Sequence, residues 1–371
     1  MGVTDYLKSM ESQYPEFTEY WTAFEGYYNK KLWHQLTKKI EAFVTTPEAN
    51  RVDLVSFYTN FIADFESKLN PLALVEIIAY IIKEMKDHKE CLLFLEKMKD
   101  KVKANQTASL LCSILMAQLK LAHKELDGVK QIIGEIGPII DEQTGITPIH
   151  GRYFQLSSDY NQIIGNHVEY YRNALRFLGC TSIDNESEET LENRAFALAL
   201  AALLGESIFN FGELLQHPIV NYLKHKHNWV LDLLCAFNAG DLERFEKLKP
   251  QWFGQADLQK HELQLRKKIS LLCLMEMTFV SNDGILTFNE IAKKTYLPEN
   301  EVELLVMKAL SLGLVKGTID EVEKKVYLSW VQPRVLDKQQ INSLKSRLEH
   351  WSKDVRKMEI LLEQKVQEII G

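Results

Sequence analysis

From residue 1 to about 260, apolar residues recur at three- and four-residue spacing, and no long run alternates apolar with polar positions as a half-buried strand would. The pattern predicts helices near 17–29, 31–45, 51–69, 72–85, 87–103, 106–123, 126–141, 150–165, 167–178 and 188–204. Short polar breaks separate them, such as Thr45-Thr46-Pro47, Leu69-Asn70-Pro71 and Gly145-Ile146-Thr147-Pro148. Helices of this length joined by a few residues pack as antiparallel neighbours, so a solenoid of helix pairs is expected. Tyr170-Tyr171-Arg172-Asn173-Ala174-Leu175 has the aromatic-then-alanine packing of a tetratricopeptide-like helix, although no strict period of about 34 residues aligns.

A polar cluster from Thr181 to Thr190 separates this arm from further helical stretches at Ala195–Leu204, Phe209–Leu215, His217–Leu223, Trp229–Asn238 and Leu242–Leu248. Asn238-Ala239-Gly240-Asp241 reads as a helix stop followed by an N-cap: glycine tolerates a left-handed exit and aspartate accepts amide hydrogens.

The pattern then changes. An apolar helix carrying Ile269, Leu271, Leu272, Leu274 and Met275 gives way at Ser281-Asn282-Asp283-Gly284 to a short strand, Ile285–Phe288. Thr287 and Glu290 have capping-box spacing before a short helix with Ile291 and Ala292. Pro298 suits the opening of a third helix carrying Val302, Leu305, Val306, Ala309 and Leu310, and Gly313 suits its stop. Two strands follow, Leu314–Ile319 and Lys325–Ser329, joined by the polar turn Asp320–Lys324. Helix, strand, helix, helix, hairpin is the order of a winged helix. An exposed edge of its sheet, Val315–Ile319 or Val326–Ser329, is available to a neighbour's strand. Val315, Lys316, Ile319, Lys325, Val326 and Leu328 are therefore the candidate contact residues there.

The last helix, from about Asp337 to Ile370, carries a heptad seam. One position reads Ile341, Leu348, Val355, Leu362, Ile369 and its partner reads Leu344, Trp351, Met358, Lys365, so that eight of nine positions are apolar. A straight helix of this length runs about 50 Å, longer than a winged helix can cover by folding back. Burying the eight side chains is worth on the order of 10 kcal/mol gross, and left in water they would invite aggregation. Partner helices are the expected cover, with folding back on the same chain as the alternative.

Composition narrows the function. At 371 residues the chain is too long for one comfortable core. The expected division is an N-terminal helical-repeat arm at 1–180, a second domain at 181–333 with a helical part at 188–260 and the winged helix at 261–333, and a C-terminal bundle helix at 334–371. With 46% hydrophobic and 26% charged residues, the chain reads as ordinary globular protein. Met1–Tyr20 has no apolar core of a signal peptide, and no apolar run reaches the length of a membrane span. A winged helix ordinarily suggests DNA, but the third helix offers Glu299, Glu301 and Glu303 against Lys308 alone, and the net charge is −7. Nucleic acid and membrane are therefore not expected as partners.

Candidate chemistry is sparse. The five cysteines, Cys91, Cys112, Cys180, Cys235 and Cys273, are widely spaced among leucines and read as core residues in a reducing compartment. His225-Lys226-His227 has the His-x-His spacing of a JAMM-type zinc site, but Asn228 follows and Ala236 and Ala239 stand where further ligands would be needed, so the shell is incomplete. The pair reads better as a solvated helix end. His88 and Cys91 share a helix face without a second pair, which favours core packing, and Glu188 with Glu189 reads as solvated. Protease, hydrolase, Walker and dinucleotide motifs are all missing. No catalytic, cofactor-binding or metal residue is expected.

Tyr170–Leu178, Gly212-Glu213-Leu214-Leu215, Phe237-Asn238-Ala239-Gly240-Asp241-Leu242, the acidic winged helix and the terminal seam, taken in that order, resemble a PCI domain. This module is shared by the proteasome lid, the COP9 signalosome and a translation initiation factor complex. The likeness runs over essentially the whole chain and is to the PCI subunits of the proteasome regulatory particle lid. It implies a mainly α fold and a non-catalytic scaffold subunit of the cytoplasm and nucleus that supports ubiquitin-dependent degradation. Its winged helix would stand beside others in a horseshoe, and its last helix would join a bundle. The implied partners are other PCI and MPN subunits of the lid, with a ubiquitin receptor as a further candidate, in a hetero-oligomer. A PCI scaffold of a related complex and a winged-helix nucleic-acid binder remain as alternatives.

Overall fold

The computed structural model describes residues 2–46, 49, 51–85, 87–143, 145–181, 187–224, 226–281, 283–336 and 338–370, with the side chains of 339, 364 and 366–370 excepted. Of the features named above, Pro47, residues 182–186, His225, Asn282, Asp337 and the Ile369 side chain lie outside them. Contacts divide the chain into two compact units, one of residues 1–165 and 176–181, the other of 166–175 and 182–371. The helix His167–Cys180 contributes to both.

The first unit is all helical among its described residues. Helices Thr18–Asn29 and Trp33–Val44 pack together, as do His88–Lys101 with Gln106–Ala122 and Gln106–Ala122 with Leu126–Glu142. Their starts follow local chemistry. The Asn70 side chain accepts the Leu72 amide ahead of Pro71, and Asp87 and Asn105 do the same for Lys89 and Ala108. A helix at Val3–Gln13, not among those expected from the pattern, buries Tyr6, Leu7 and Met10.

The predicted 51–69 helix is broken into α turns at Leu54–Phe57 and Ala63–Phe65, a π turn at Tyr58–Ile62 between them, and a 3-10 turn at Glu66–Lys68. The wider π turn keeps Phe57, Phe61 and Phe65, spaced four apart, on one face with ring centroids 5.2 and 5.1 Å apart. Trp21, Phe24 and Phe43 close around them. Aromatic packing of this density, with Phe24, Phe43, Phe57 and Phe61 fully buried, overrides the straight-helix periodicity.

The second unit begins with helices Glu188–Leu204, Gly212–Gln216, Asn228–Ala239 and Leu242–Lys247, with Pro218–Lys224 forming a 3-10 turn where an α-helix was expected. Two short helices unforeseen in the pattern, Lys249–Trp252 and Ala256–Lys260, lead into the long helix Glu262–Val280. The winged helix follows as β1 (Ile285–Thr287), helices Phe288–Thr295 and Glu299–Ser311, β2 (Val315–Asp320) and β3 (Lys325–Val331). The Thr287–Glu290 capping box forms, with Thr287 N donating to Glu290 Oε2 at 2.9 Å. Pro298 serves as the N-cap.

Lys268 joins the two halves of this unit. Its side chain is buried on Glu262–Val280, and Nζ donates to the carbonyls of Ala202, Leu203 and Gly205 at 2.7, 3.1 and 2.6 Å. Three ammonium donors thus meet three carbonyls at the negative end of the Glu188–Leu204 helix, where Gly205 O also accepts the Ile208 amide at 3.3 Å. Burial pushes this lysine down to about 7.

Candidate assembly interface

The segment between β3 and the terminal helix crosses the helical part at a crowded joint. Asn210 stands at its centre. Its Oδ1 accepts the amides of Gly212 at 3.2 Å and Val335 at 3.3 Å, its Nδ2 donates to Glu213, and its carbonyl accepts the Tyr171 hydroxyl at 3.4 Å. Burial raises the Tyr171 hydroxyl well above the usual tyrosine range, so it stays a donor. Arg334 donates to the Asn238 carbonyl at 3.2 Å and pairs with Glu276 at 2.5 Å. Space is as limiting as bonding. A Cβ on Gly212 would sit 2.6 Å from Val335 Cβ. A Cβ on Gly240, whose φ is +63°, would sit 2.6 Å from Cys273 Cα. The short motifs that read loosely along the chain therefore meet in three dimensions around one linker.

The terminal helix, Lys338–Ile370, is aimed by its first turns. Gln340 donates to Glu276 at 3.0 Å, and Arg347 donates to the carbonyls of Phe279 at 2.9 Å and Ser281 at 3.3 Å. Beyond Arg347, no hydrogen bond or ion pair to the body is present among the described residues. The seam stays in water: Ile341, Leu348, Val355, Met358 and Leu362 are exposed, Trp351 is 67% exposed, and Leu344 is half-buried.

The winged-helix sheet has strand order β1-β3-β2, which corrects one expectation: Val326–Ser329 lies in the central strand and is not a free edge. Val326 and Leu328 are buried core residues, as is Val315. β3 is central because β1 pairs with it on the side away from β2, with Leu286 opposite Val326. Two edges remain, and they differ. On β1, Glu290 takes the Thr287 amide at 2.9 Å and Asp283 takes the Ile285 amide at 3.5 Å. The Thr287 amide holds the Glu290 carboxyl below its ordinary value, and the Ser281 hydroxyl does the same for Asp283. Those carboxylates blunt the β1 edge. β2 pairs with β3 along Val315–Asp320, with a bulge at Lys316/Gly317, and its other side is open. Lys316 lies 4.9 Å over the Trp330 ring, Ile319 is half-buried, and Lys325 pairs with Glu323 at 2.7 Å.

On the helix Glu299–Ser311, where a DNA-reading winged helix displays polar base contacts, Leu304 is 64% exposed beside an exposed Met307. His227 packs its ring 4.5 Å from Phe196 and lies 3.6 Å from Glu192, a half-buried position rather than the solvated one expected. His88 stacks on His123 at 3.6 Å, and Cys91 is buried. Among the described residues, no group of three or more His, Cys, Asp and Glu side chains is arranged to hold a metal. No described helix is long and apolar enough to cross a membrane.

A helical part clasped to a winged helix, with the following linker locked between them, defines a PCI-domain protein. Residues 242–330 match the PCI domain profile, and residues 20–234 match a profile described as PSD13 N-terminal repeats. The chain is 35% identical over 364 residues to the 26S proteasome non-ATPase regulatory subunit 13 of Dictyostelium discoideum, covering 95% of this chain and 94% of that one. It is 36% identical to homolog B of that subunit in Arabidopsis thaliana, covering 95% of each. It is 34% identical to the 26S proteasome regulatory subunit RPN9 of Saccharomyces cerevisiae, covering 93% and 92%. The chain belongs to the family of the 26S proteasome non-ATPase regulatory subunit 13.

Asn210, Glu276, Arg334 and Arg347 were not singled out in the sequence. Each acts through a backbone group or a partner 58 to 125 residues away, and no local spacing signals such a contact.

Proposed function

We propose that this chain is a non-catalytic structural subunit of the proteasome regulatory particle lid that supports lid assembly and the ATP-dependent degradation of ubiquitinated proteins in cytoplasm and nucleus. In this reading residues 1–180 are an arm, 181–333 the PCI domain and 334–371 a bundle helix. The partners are other PCI and MPN subunits of the lid. The neighbour contact lies at β2 through Val315, Lys316 and Ile319, with Lys325 beside it, while Val326 and Leu328 hold the sheet from within. The bundle contact lies on Ile341, Leu344, Leu348, Trp351, Val355, Met358, Leu362 and Ile369.

The observation that carries the reading is the wet seam on a helix whose base is clamped. A chain that fixes the direction of a helix and leaves its apolar stripe in water gains from a partner what it cannot bury alone. End-to-end likeness to proteasome regulatory subunits supports the lid as that partner complex. The test is native purification of the tagged full chain beside a chain ending at Leu336. The full chain should retain lid subunits at high salt, and the shortened chain should stay folded and lose them. Recovery of the full chain alone, or equal retention by both, would overturn the reading.

A further inference from the structure

The positions that border the seam change sign along the terminal helix. On one border stand Lys338, Lys345 and Glu359, spaced by whole heptads, and on the other stand Arg347 and Asp354, one heptad apart. All five are exposed. The charged side chains described at these borders are therefore basic as far as Arg347 and acidic from Asp354 onward. The helix as a whole repeats the order. Residues 338–357 hold six bases, Lys338, Lys345, Arg347, Lys353, Arg356 and Lys357, against Glu349 and Asp354, whereas 358–365 hold Glu359 and Glu363 against Lys365.

No contact among the described residues cancels this order. Lys345 meets Glu349 at 3.8 Å and Asp354 meets Lys357 at 3.3 Å, but these are exposed pairs one turn apart, too weak and too few to neutralise the borders. Arg347 donates only to neutral carbonyls and keeps its charge. The ion pairs of the described helix run within it and none reaches the body. Nor does the order serve the helix by itself, because its first turn holds Lys338 and no acid, the reverse of what the helix dipole favours.

A helix that covers the seam must therefore meet both signs. We infer that the occupant is a helix of a different chain, apolar along its own seam, acidic beside it where it passes Lys338, Lys345 and Arg347, and basic where it passes Asp354 and Glu359. A uniformly acidic or basic helix satisfies one half and is repelled by the other. A second copy of this chain fits poorly as well. Laid parallel in register, it sets Asp354 against Glu359 of the other copy. Laid antiparallel with Trp351 opposite Val355, the register that overlaps the whole seam, it sets Asp354 against its own twin and Lys365 into an apolar layer with Ile341. The seam thus supplies the area to be buried and its borders exclude wrong partners. This rests on the reading of the terminal helix as a bundle helix, and adds the charge order of what packs against it.

The test uses the purified full chain and three synthetic peptides, each four heptads long with the same leucine and isoleucine seam. One carries glutamates beside the first half of its seam and lysines beside the second, one carries glutamates throughout, and one carries lysines throughout. Fluorescence anisotropy of the labelled peptides, kept at trace concentration, gives their affinities. The mixed peptide should bind about tenfold more tightly than either uniform one at low salt, and the margin should shrink at high salt. The double substitution Asp354→Lys and Glu359→Lys makes the borders basic throughout and should hand the advantage to the all-glutamate peptide, a change that a merely sticky seam would not show. Equal affinities at low salt, or a uniform peptide preferred by the unsubstituted chain, overturn the charge-order proposal and leave the proposed function standing. Sedimentation in which the chain pairs with a second copy, and loses that pairing when ended at Leu336, overturns the assignment to a different chain. Failure of every peptide to bind overturns this proposal and the bundle reading together.

Discussion

The joint around Asn210 and the terminal helix it launches follow opposite rules. At the joint every polar group named above has a partner, and glycines stand where any side chain would collide. Sixteen residues beyond Val335, Trp351 stands in water between the exposed Leu348 and Met358. Cohesion within the unit and the proposed recruitment of other chains are thus located in different residues, and a substitution can reach one without the other.

That separation can be broken or sharpened by four substitutions. Gly240→Ala should be the most damaging: its Cβ meets backbone atoms at a left-handed φ, and a loss of about 3 kcal/mol or more is expected in urea unfolding. Stability within experimental error of the parent would mean that the turn can open.

Lys268→Met comes next. It leaves the Ala202 and Leu203 carbonyls at a buried helix end without this donor and Gly205 O with the Ile208 amide alone, for a loss of about 2–4 kcal/mol. The parent should also become more stable as pH rises from about 7. The folded value is depressed to about 7, so above it the unfolded chain holds a proton that the folded chain has released. The methionine variant should lack that slope in unfolding curves taken across the window, and an identical slope in both would assign it to other groups.

Arg334→Met should cost less, about 1–2 kcal/mol, because Glu276 keeps its bond from Gln340 and is partly exposed. Its sharper effect should be on assembly, since the linker that aims the terminal helix is loosened. Unchanged partner retention would show that the first turns alone hold the helix in place.

Trp351→Glu should leave stability within about 0.5 kcal/mol of the parent, because the side chain touches little in the isolated chain. It should nevertheless strongly reduce retention of partner subunits in a pull-down. A large drop in melting temperature of the isolated chain would mean that the seam is covered by its own body.

Much of this organisation was legible in one dimension. Helix starts with Asn70 and Asp241, the Thr287–Glu290 box and the stop at Gly313 depend on neighbours within a few residues, and so does the seam, since residues seven apart on a helix share a face. The π turn at Tyr58–Ile62 was not legible, because it answers to rings on other helices.

The order of strands was not legible either. A hairpin and a distant third strand can be arranged with either hairpin strand in the middle, and alternation alone does not choose between them. The pairing of β1 with β3 chose, and with it which edge stays open and which is blunted by Asp283 and Glu290. Gly240 could be read as a helix stop; that it and Gly212 are also clearances for Cys273 and Val335 depended on packing between segments that sequence spacing leaves independent. Periodicity and caps are interactions over one or two turns and are written in composition order. Edges, clearances and the aim of the last helix arise where remote segments compete for the same space, so they exist once the chain has folded.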